Sequence, residues 1–261
     1  PVRFRLASYR SLAEIDVPAD MGSGTNDASF MKRPRLSQDK RGRIISATCD
    51  GSGALLVVAV RVRHFLELGV DHAVVGLMDP AHGPYVHQQW WWRSEHSMHE
   101  KSKAFAPTEF GWAMVRHAPS SNSRLYKILG GAPATEITFR LPGFRWEHIQ
   151  VGEKQVLALT CLTPITDTKT RIPQIFWSDH WVFHLAKPFL RMGVVAFLKQ
   201  DGGMVNLQNE GLRYDPALIW IDDADKQAKW YQQLKREWQK SRAEGRGFSN
   251  PVKPAVLKWK S

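Results

Sequence analysis

Alternating apolar and polar residues fill the middle of the chain and predict strands. Residues 135–151, TEITFRLPGFRWEHIQV, alternate on both sides of a Pro-Gly pair, which predicts a β-hairpin. Residues 154–165 and 171–185 contain short runs rich in β-branched and aromatic residues, and both segments are interpreted as further strands. Residues 54–68 are apolar and β-branched, which fits either a strand or a buried helix.

Three other segments have apolar residues at helical spacing. Residues 69–82 are interpreted as helical, with Asp79 and Pro80 in the positions of an N-cap and a first helical residue. Residues 185–212 have a helical apolar period, and residues 222–245 are amphipathic, with Asp at the start and Gly at the end. A helix first, strands in the middle and long helices last predict an α+β fold with an antiparallel sheet.

The N-terminal part of the chain has a different texture. Residues 1–53 lack a sustained hydrophobic period and contain loop-forming segments such as GSGTND and CDGSG. We therefore expect residues 1–66 to be a poorly ordered or remnant N-terminal region and residues 67–261 to form one domain. The chain begins at Pro1 without a Met, as expected of a fragment, a processed product or an incomplete gene.

Charge and composition narrow the class of protein. The 261 residues are 43% hydrophobic, which is typical of a globular protein, and carry a formal net charge of +11. That charge favours acidic partners, namely nucleic acid, an anionic surface or an acidic redox protein. Solvated basic ends are favoured over a nucleic-acid site, because the sequence contains no nucleic-acid recognition motif.

Cys49 and Cys161 are the only cysteines. They are too few for a disulfide framework and indicate a reducing compartment, so we expect a cytoplasmic protein. The paired C-x-H and C-x-x-H units of a Rieske centre are absent. No apolar run is long enough to cross a membrane, and no signal peptide is recognisable.

Asp79, His82 and His87 lie close together in the segment MDPAHGPYVH, ahead of three consecutive tryptophans at residues 90–92. On a helix, Asp79 and His82 share a face, and the following Gly-Pro pair interrupts the helix and lets His87 approach the same point. Two neutral imidazoles at this reach bind iron, zinc, nickel or copper. The alternative interpretation makes Asp79 an ordinary N-cap and both histidines ordinary polar residues.

A third metal ligand is expected at Asp201, which ends a helix-like apolar run and precedes two glycines. Two histidines and one carboxylate form a facial triad with open positions, which is typical of non-haem Fe(II) sites that use O2. A polar residue at a helix end is the alternative for Asp201. The H-x-D or H-x-E pattern of 2-oxoglutarate oxygenases and the HExxH motif of zinc hydrolases are both absent.

The segments MDPAHGPYVH and FLKQDGGMVNLQ together resemble motifs of Rieske-type aromatic-ring-hydroxylating oxygenases. The similarity is to the C-terminal catalytic domain of the α subunit, in the monooxygenase and demethylase branch. It implies a START-like helix-grip fold, in which a curved antiparallel sheet surrounds a long C-terminal helix. It also implies that His82, His87 and Asp201 bind iron, and that Asp79 connects one iron histidine to the Rieske cluster of a neighbouring subunit. Where members often have an Asn three residues before that Asp, this chain has Gly76.

The same resemblance implies an enzyme that inserts oxygen from O2 into a hydrophobic aromatic or polycyclic substrate. Hydroxylation and oxidative O- or N-demethylation both fit. Electrons are expected from NAD(P)H, through a reductase or ferredoxin and a [2Fe-2S] Rieske cluster, and relatives suggest a homotrimer. Because no Rieske domain precedes the motifs here, we expect either a partner that supplies the cluster in trans or a truncated gene product.

Other residues are weaker candidates for the site. If residues 179–184 continue a strand, Asp179, Trp181 and Phe183 share one face, and with Trp177 these aromatics are candidates to line the substrate pocket. Ordinary core packing is the alternative for each of them. His96 and His99 form a second candidate metal pair, for which a solvated helix face is favoured. The alternative functions are a metal-free START-like carrier of an apolar ligand and an inactive truncated oxygenase.

Overall fold

The computed structural model describes residues 35–38, 44–48, 55–87, 98–119, 132–217 and 219–261. The strands are β1 Arg35–Gln38, β2 Ile44–Thr48, β3 Leu55–Leu66, β4 Glu100–Thr108, β5 Gly111–His117, β6 Pro133–Arg140, β7 Phe144–Val151, β8 Lys154–Cys161, β9 Thr163–Thr166, β10 Lys169–Ser178 and β11 Ala255–Lys260. The helices are α1 Val70–Met78, α2 Gly83–Val86, α3 Trp181–Leu185, α4 Lys187–Leu212 and α5 Lys226–Ala243.

The strands form one antiparallel sheet. Neighbouring strands follow the order β1-β2-β3-β10-β8-β7-β6-β5-β4-β11, and β9 pairs with β10. The predicted hairpin is confirmed as β6 and β7, which pair without a register shift around a turn that contains the cis Leu141–Pro142 peptide. Gly111 on the adjacent β5 has no room for a side chain, because a Cβ would lie 1.9 Å from the carbonyl oxygen of Phe139. The segment 154–165 is also extended, in β8 and β9.

The segment 54–68, which fits a strand or a helix by sequence, is the long strand β3. It pairs with β10 on one side and with β2 on the other, so strands from the first 66 residues belong to the same sheet as the rest. The division of the chain into residues 1–66 and residues 67–261 stays a prediction, and β3 lies on the N-terminal side of that boundary.

The amphipathic helix expected at residues 222–245 is α5, and its buried face packs on the sheet. The ring of Tyr231 meets Phe139 edge-on, with 5.8 Å between the ring centroids, and Trp230 packs on Trp112 at 5.6 Å. Each large apolar side chain buried in this way stabilises the fold by about 1.5–3 kcal/mol. Gly245, with a φ of 66°, follows the end of the helix as expected.

The second long helix is confirmed as α4. It packs against β3, and Leu198, its one buried residue among those described, forms a cluster with Val60 and Val62. With α5 it gives two long helices packed on an antiparallel sheet, so the predicted α+β architecture is confirmed. No helix in the described part of the chain has the length and apolar character needed to cross a membrane.

The strand predicted over residues 171–185 is wrong beyond its first half. β10 ends at Ser178, and residues Trp181–Leu185 form α3, with His180 as N-cap and its Nδ1 accepting a hydrogen bond from the Val182 amide at 3.2 Å. Asp179 turns the chain by accepting a hydrogen bond from the Gln155 amide at 2.7 Å. The aromatic residues that suggested a strand therefore do not alternate across a sheet.

The basic tail contributes a strand that the sequence analysis did not predict. In β11, Leu257 and Trp259 are buried, whereas Lys258 and Lys260 are exposed, and the strand pairs with β4 at the edge of the sheet. This alternation is the usual signal of a half-buried strand. The lysines are solvated, as expected for the ends of the chain, but the backbone that carries them is part of the sheet.

Candidate metal centre

The two histidines of the MDPAHGPYVH segment flank one turn of helix. His82 is the N-cap of α2 and His87 is its C-cap, with Pro84 in the first turn. Asp79 was expected at the start of a helix, and this is wrong, because it caps the C-terminus of α1. Its carboxylate accepts a hydrogen bond from the Ala81 amide at 2.7 Å and so stabilises the turn between α1 and α2.

Asp201 lies within α4, many residues from either end, and not at a helix end as expected. The helix places its carboxylate beside α2, with Oδ1 3.2 Å from Nε2 of His87. Two ligand atoms bound at right angles to one metal ion, each about 2.1 Å from it, lie about 3 Å apart. The contact between Asp201 and His87 therefore has the spacing of two ligands of one metal.

The structure brings the three predicted ligands together. One ligand atom from each of His82, His87 and Asp201 lies within 4.8 Å of the other two. The two histidines are local in sequence, whereas the carboxylate comes from a helix more than a hundred residues away. Two imidazoles and one carboxylate match the ligand set of a facial triad.

Hydrogen bonds at Nδ1 orient both imidazoles for metal binding. Nδ1 of His82 lies 2.5 Å from the main-chain carbonyl oxygen of Asp79, and Nδ1 of His87 lies 3.2 Å from Oε1 of Gln200. Both partners are acceptors, so a neutral ring that donates its hydrogen bond from Nδ1 presents its lone pair at Nε2. The donor set therefore fits a metal bound through the two Nε2 atoms and the Asp201 carboxylate.

Three residues of α4 hold the buried His87 ring. Phe197 stacks on it with 3.4 Å between ring centroids, Gln200 contacts Nδ1, and Asp201 faces Nε2. The sequence analysis missed Phe197 and Gln200 as contributors. Their spacing from Asp201, four residues and one residue, places all three on neighbouring positions of one helix face, which was the available signal.

Burial and nearby positive charge act in opposite directions on the carboxylates. Burial raises the pKa of Asp201 to about 6, although His82 and Arg145 oppose that rise. Burial also raises the pKa of Asp79, against the hydrogen bond from the Ala81 amide. A divalent cation at the triad would favour the ionised form of Asp201, as required of a ligand.

The carboxylate of Asp79 does not contact the His82 ring through a hydrogen bond in the structure. The main-chain carbonyl of the same residue makes that contact. The ring is therefore oriented by the backbone of the turn, and the carboxylate orients the turn. Gly76 has nothing within 4 Å of an added Cβ, so a larger residue would fit there.

The three aromatic pocket candidates lie in different environments. Trp177 is fully buried on β10, next to Phe176, which faces the α4 cluster, so Trp177 projects from the opposite face of the sheet. Trp181 is 64% exposed and stacks on His180, whereas Phe183 packs against the α4 cluster. Their role in substrate binding stays a prediction.

The second candidate metal pair is not assembled within the described residues. His96 and the tryptophans at 90–92 lie outside them, and His99 pairs its backbone with Ser261 at the start of β4. The helix favoured around residues 95–100 is wrong at its described end, because Glu100 begins a strand.

No protein-family model matches the sequence, and no curated protein matches it. The fold is similar to those of NdmA and of dicamba monooxygenase, as solved structures show. NdmA of Pseudomonas putida CBB5 with caffeine superposes with a TM-score of 0.54 at 13% identity, covering 75% of this chain and 57% of that one. Dicamba monooxygenase bound to dicamba gives a TM-score of 0.54 at 15% identity, covering 71% and 58%. The fold is Rieske oxygenase-like.

This similarity concerns architecture. At such identities it shows the fold alone, and the chain spans less than two thirds of the length of either neighbour. The antiparallel sheet and the long helices match the catalytic-domain fold of these proteins.

Proposed function

We propose that this chain is a non-haem Fe(II) oxygenase domain that inserts oxygen from O2 into a hydrophobic aromatic or polycyclic substrate. One observation carries the proposal: a ligand atom from each of His82, His87 and Asp201 converges on one point, and Nδ1 of each imidazole lies beside an acceptor. The oxygenase-like fold, shared with a named monooxygenase, supports it.

The residues of the site would bind and orient the iron. The imidazoles of His82 and His87 and the carboxylate of Asp201 would hold the iron, which would supply O2 activation when bound. The buried His87 ring and the part-buried Asp201 carboxylate would keep the ligand set partly away from bulk water. Oxygen insertion breaks a C–H bond of the substrate, places one oxygen atom there and reduces the other to water, which consumes two electrons and two protons.

Those electrons come from outside the described residues. We propose that a [2Fe-2S] Rieske cluster, on another domain or protein, passes them from NAD(P)H through a reductase or ferredoxin. Asp79 is the proposed entry point, because its main-chain carbonyl contacts an iron histidine and its own carboxylate is part-buried beside it. A homotrimer that brings such a cluster next to Asp79, in a reducing cytoplasm, completes the proposal.

The alternative is a metal-free START-like carrier of an apolar ligand, or an oxygenase fold without activity. Iron stoichiometry separates these from an iron enzyme. The chain is reconstituted anaerobically with Fe(II), desalted and assayed by elemental analysis, in the parent, in Asp201→Ala and in Asp167→Ala. Asp167 is an exposed control.

We expect about one iron per chain in the parent and the control, and loss of affinity by about a hundredfold or more without the Asp201 carboxylate. Nitric oxide is then added to the iron-loaded parent. It binds ferrous iron at an open position, and the EPR signal of this adduct reports that such a position exists. Absence of iron from the parent would favour the carrier. Iron that survives Asp201→Ala would exclude Asp201 as a ligand.

A further inference from the structure

One row of side chains crosses five strands of the sheet. Phe139 of β6 is opposite Arg145 of β7, which is opposite Thr160 of β8. Thr160 is opposite Gln174 of β10, which is opposite Val62 of β3. Residues directly opposite each other in a sheet project from the same face, so these five side chains share one face.

The two ends of the row identify that face. Phe139 packs on Tyr231 of α5, and Val62 clusters with Leu198 of α4. The row therefore lies on the face of the sheet that both long helices cover. Its ends are apolar and are covered by a helix, as expected of a core.

The middle of the row is polar, which a core does not need. Arg145, Thr160 and Gln174 form what we call the polar strip. Thr160 is 2% exposed and accepts a hydrogen bond from Nε2 of Gln174 at 3.2 Å. Burying such groups costs free energy unless they are hydrogen-bonded or bind a ligand.

Arg145 has donors to spare. Its side chain is 21% exposed, and among the described residues its guanidinium makes one long contact, from Nη2 to Oε2 of Glu147 at 3.4 Å. A guanidinium has five N–H donors. The row that contains Arg145 lies on the sheet face covered by α4, the helix that carries Asp201. Arg145 therefore projects from the face of the sheet that α4 covers, with most of its donors available.

We infer that the polar strip binds a planar oxygen acceptor of the substrate, a carboxylate or a carbonyl, through the guanidinium of Arg145. The inference rests on the proposed function and narrows its substrate class: an aromatic compound that bears such a group is preferred to a plain hydrocarbon. The fork of N–H donors matches two lone pairs of a carboxylate or carbonyl oxygen. Gln174 and Thr160 provide further polar groups along the same row.

Calorimetric titration with three matched probes tests this inference on the full chain, anaerobically and loaded with Fe(II). The probes are benzoate, acetophenone and ethylbenzene, which share a phenyl ring and differ in the oxygen acceptor. We expect the parent to bind benzoate or acetophenone at least about tenfold more tightly than ethylbenzene, since one charged hydrogen bond is worth that much. If benzoate binds more tightly than acetophenone, the polar strip prefers a carboxylate; the reverse order indicates a carbonyl.

Variants assign the preference to the polar strip. Arg145→Gln is expected to weaken the oxygen probe about ten- to hundredfold and to leave ethylbenzene unchanged. Arg63→Gln, on the opposite face of β3 and exposed, is the matched control and is expected to change neither. Gln174→Leu serves as a second variant, with a several-fold loss expected, if Arg145→Gln does not fold.

The result that overturns the inference is a parent without preference among the probes, or without binding to any, or an equal response of the Arg145 and Arg63 variants. Iron is measured in the same samples. Full iron loading with no probe preference would reject the polar strip alone. An oxygen-probe preference in a chain that takes up no iron would reject the proposed oxygenase and leave the strip as a ligand site.

Discussion

Oε1 of Gln200 lies 3.2 Å from Nδ1 of His87, on the opposite side of the ring from the Nε2 atom that faces the triad. The amide oxygen can accept a hydrogen bond from Nδ1–H of the ring, which favours the tautomer that can bind a metal. Gln200 and Asp201 are consecutive residues of α4, and each lies beside a different nitrogen of the His87 imidazole.

Gln200→Leu is expected to weaken metal binding about 10- to 100-fold, because the His87 ring loses the acceptor that fixes its tautomer and orientation. Gln200→Glu keeps an acceptor and is expected to retain most of the affinity. The measurement is the Kd for Co(II), by titration under one buffer condition.

A matched control is Gln208→Leu, the same change further along α4. Nitrogen-15 NMR of the histidine rings supplies a readout that a merely structural role would not move, because it distinguishes Nδ1–H from Nε2–H. Equal Kd values and an unchanged tautomer in Gln200→Leu would contradict the role assigned to this side chain.

Metal affinity is expected to fall as the pH drops below about 6. The raised pKa of Asp201, about 6 in the metal-free chain, means that protons compete with the metal for this carboxylate in that range. Above the pKa the carboxylate is free to bind, and one pH unit below it about nine tenths of the groups are protonated, which costs about tenfold in affinity. Titrations with Co(II) between about pH 5 and about pH 7 measure the slope.

The variant Asp201→Asn isolates the contribution of the Asp201 carboxylate to the pH dependence of metal affinity. The variant binds more weakly at every pH, but its pH dependence is expected to be shallower than that of the parent, because the amide does not titrate. Parallel slopes in the two proteins would assign the proton competition to other groups.

Asp79→Asn is expected to keep the iron and slow electron delivery. The Asn side chain retains an oxygen for the Ala81 amide, and the carbonyl that orients His82 belongs to the backbone, so the metal site persists. Stopped-flow reduction of the oxidised iron by a Rieske ferredoxin, supplied with its reductase and NAD(P)H, is expected to be about tenfold slower or more. Equal rates in variant and parent, with equal iron content, would remove Asp79 from the electron path.

Asp71 ties α1, which leads into the site, to α5. Its carboxylate accepts hydrogen bonds from the Tyr231 hydroxyl at 2.6 Å and from the Lys235 ammonium group. Burial opposes ionisation of Asp71, but these hydrogen bonds outweigh it and hold its pKa below the ordinary value. Asp71→Asn is expected to lower the free energy of unfolding by about 1 kcal/mol at neutral pH, a value reduced by the partial exposure of the pair.

The pH dependence of that effect has a definite sign. Because the folded pKa of Asp71 is depressed, its contribution is present above the unfolded pKa of about 3.9 and is lost as the pH falls through the folded value. Urea unfolding at neutral pH and at about pH 3 is expected to show the difference between parent and variant shrinking in acid. Asp222→Asn, at a fully exposed carboxylate, is the control.

The hairpin of β6 and β7 and the two long helices follow from local patterns, namely alternation around a Pro-Gly turn and apolar residues at helical spacing. The convergence of His82, His87 and Asp201 was also predictable, because the two histidines are close in sequence and Asp201 lies in the second motif, FLKQDGGMVNLQ. Gln200 and Phe197 were not predicted, since their roles depend on how α4 faces His87 in three dimensions.

The errors have local physical causes. Residues 179–185 carry aromatic and β-branched side chains that favour strands, but the Asp179 and His180 hydrogen bonds to neighbouring main chain turn the segment into a helix. Asp79 has the side chain of an N-cap, but its carboxylate serves a turn after a helix that has already ended. Polar side chains that bond nearby backbone groups act at either end of a helix, and sequence alone does not distinguish the two.

Among its described side chains, α4 has a single buried anchor, Leu198, yet the same helix carries Asp201 and the two residues that hold His87. A metal bound at the triad would then be a bond between this helix, whose other apolar contacts are only half-buried, and the turn that carries both histidines. Occupancy of the site and docking of the helix are thermodynamically linked, since any ligand that binds only the docked form stabilises it. A chelator is expected to act on this chain as a local denaturant, loosening α4 while the sheet beneath it stays folded.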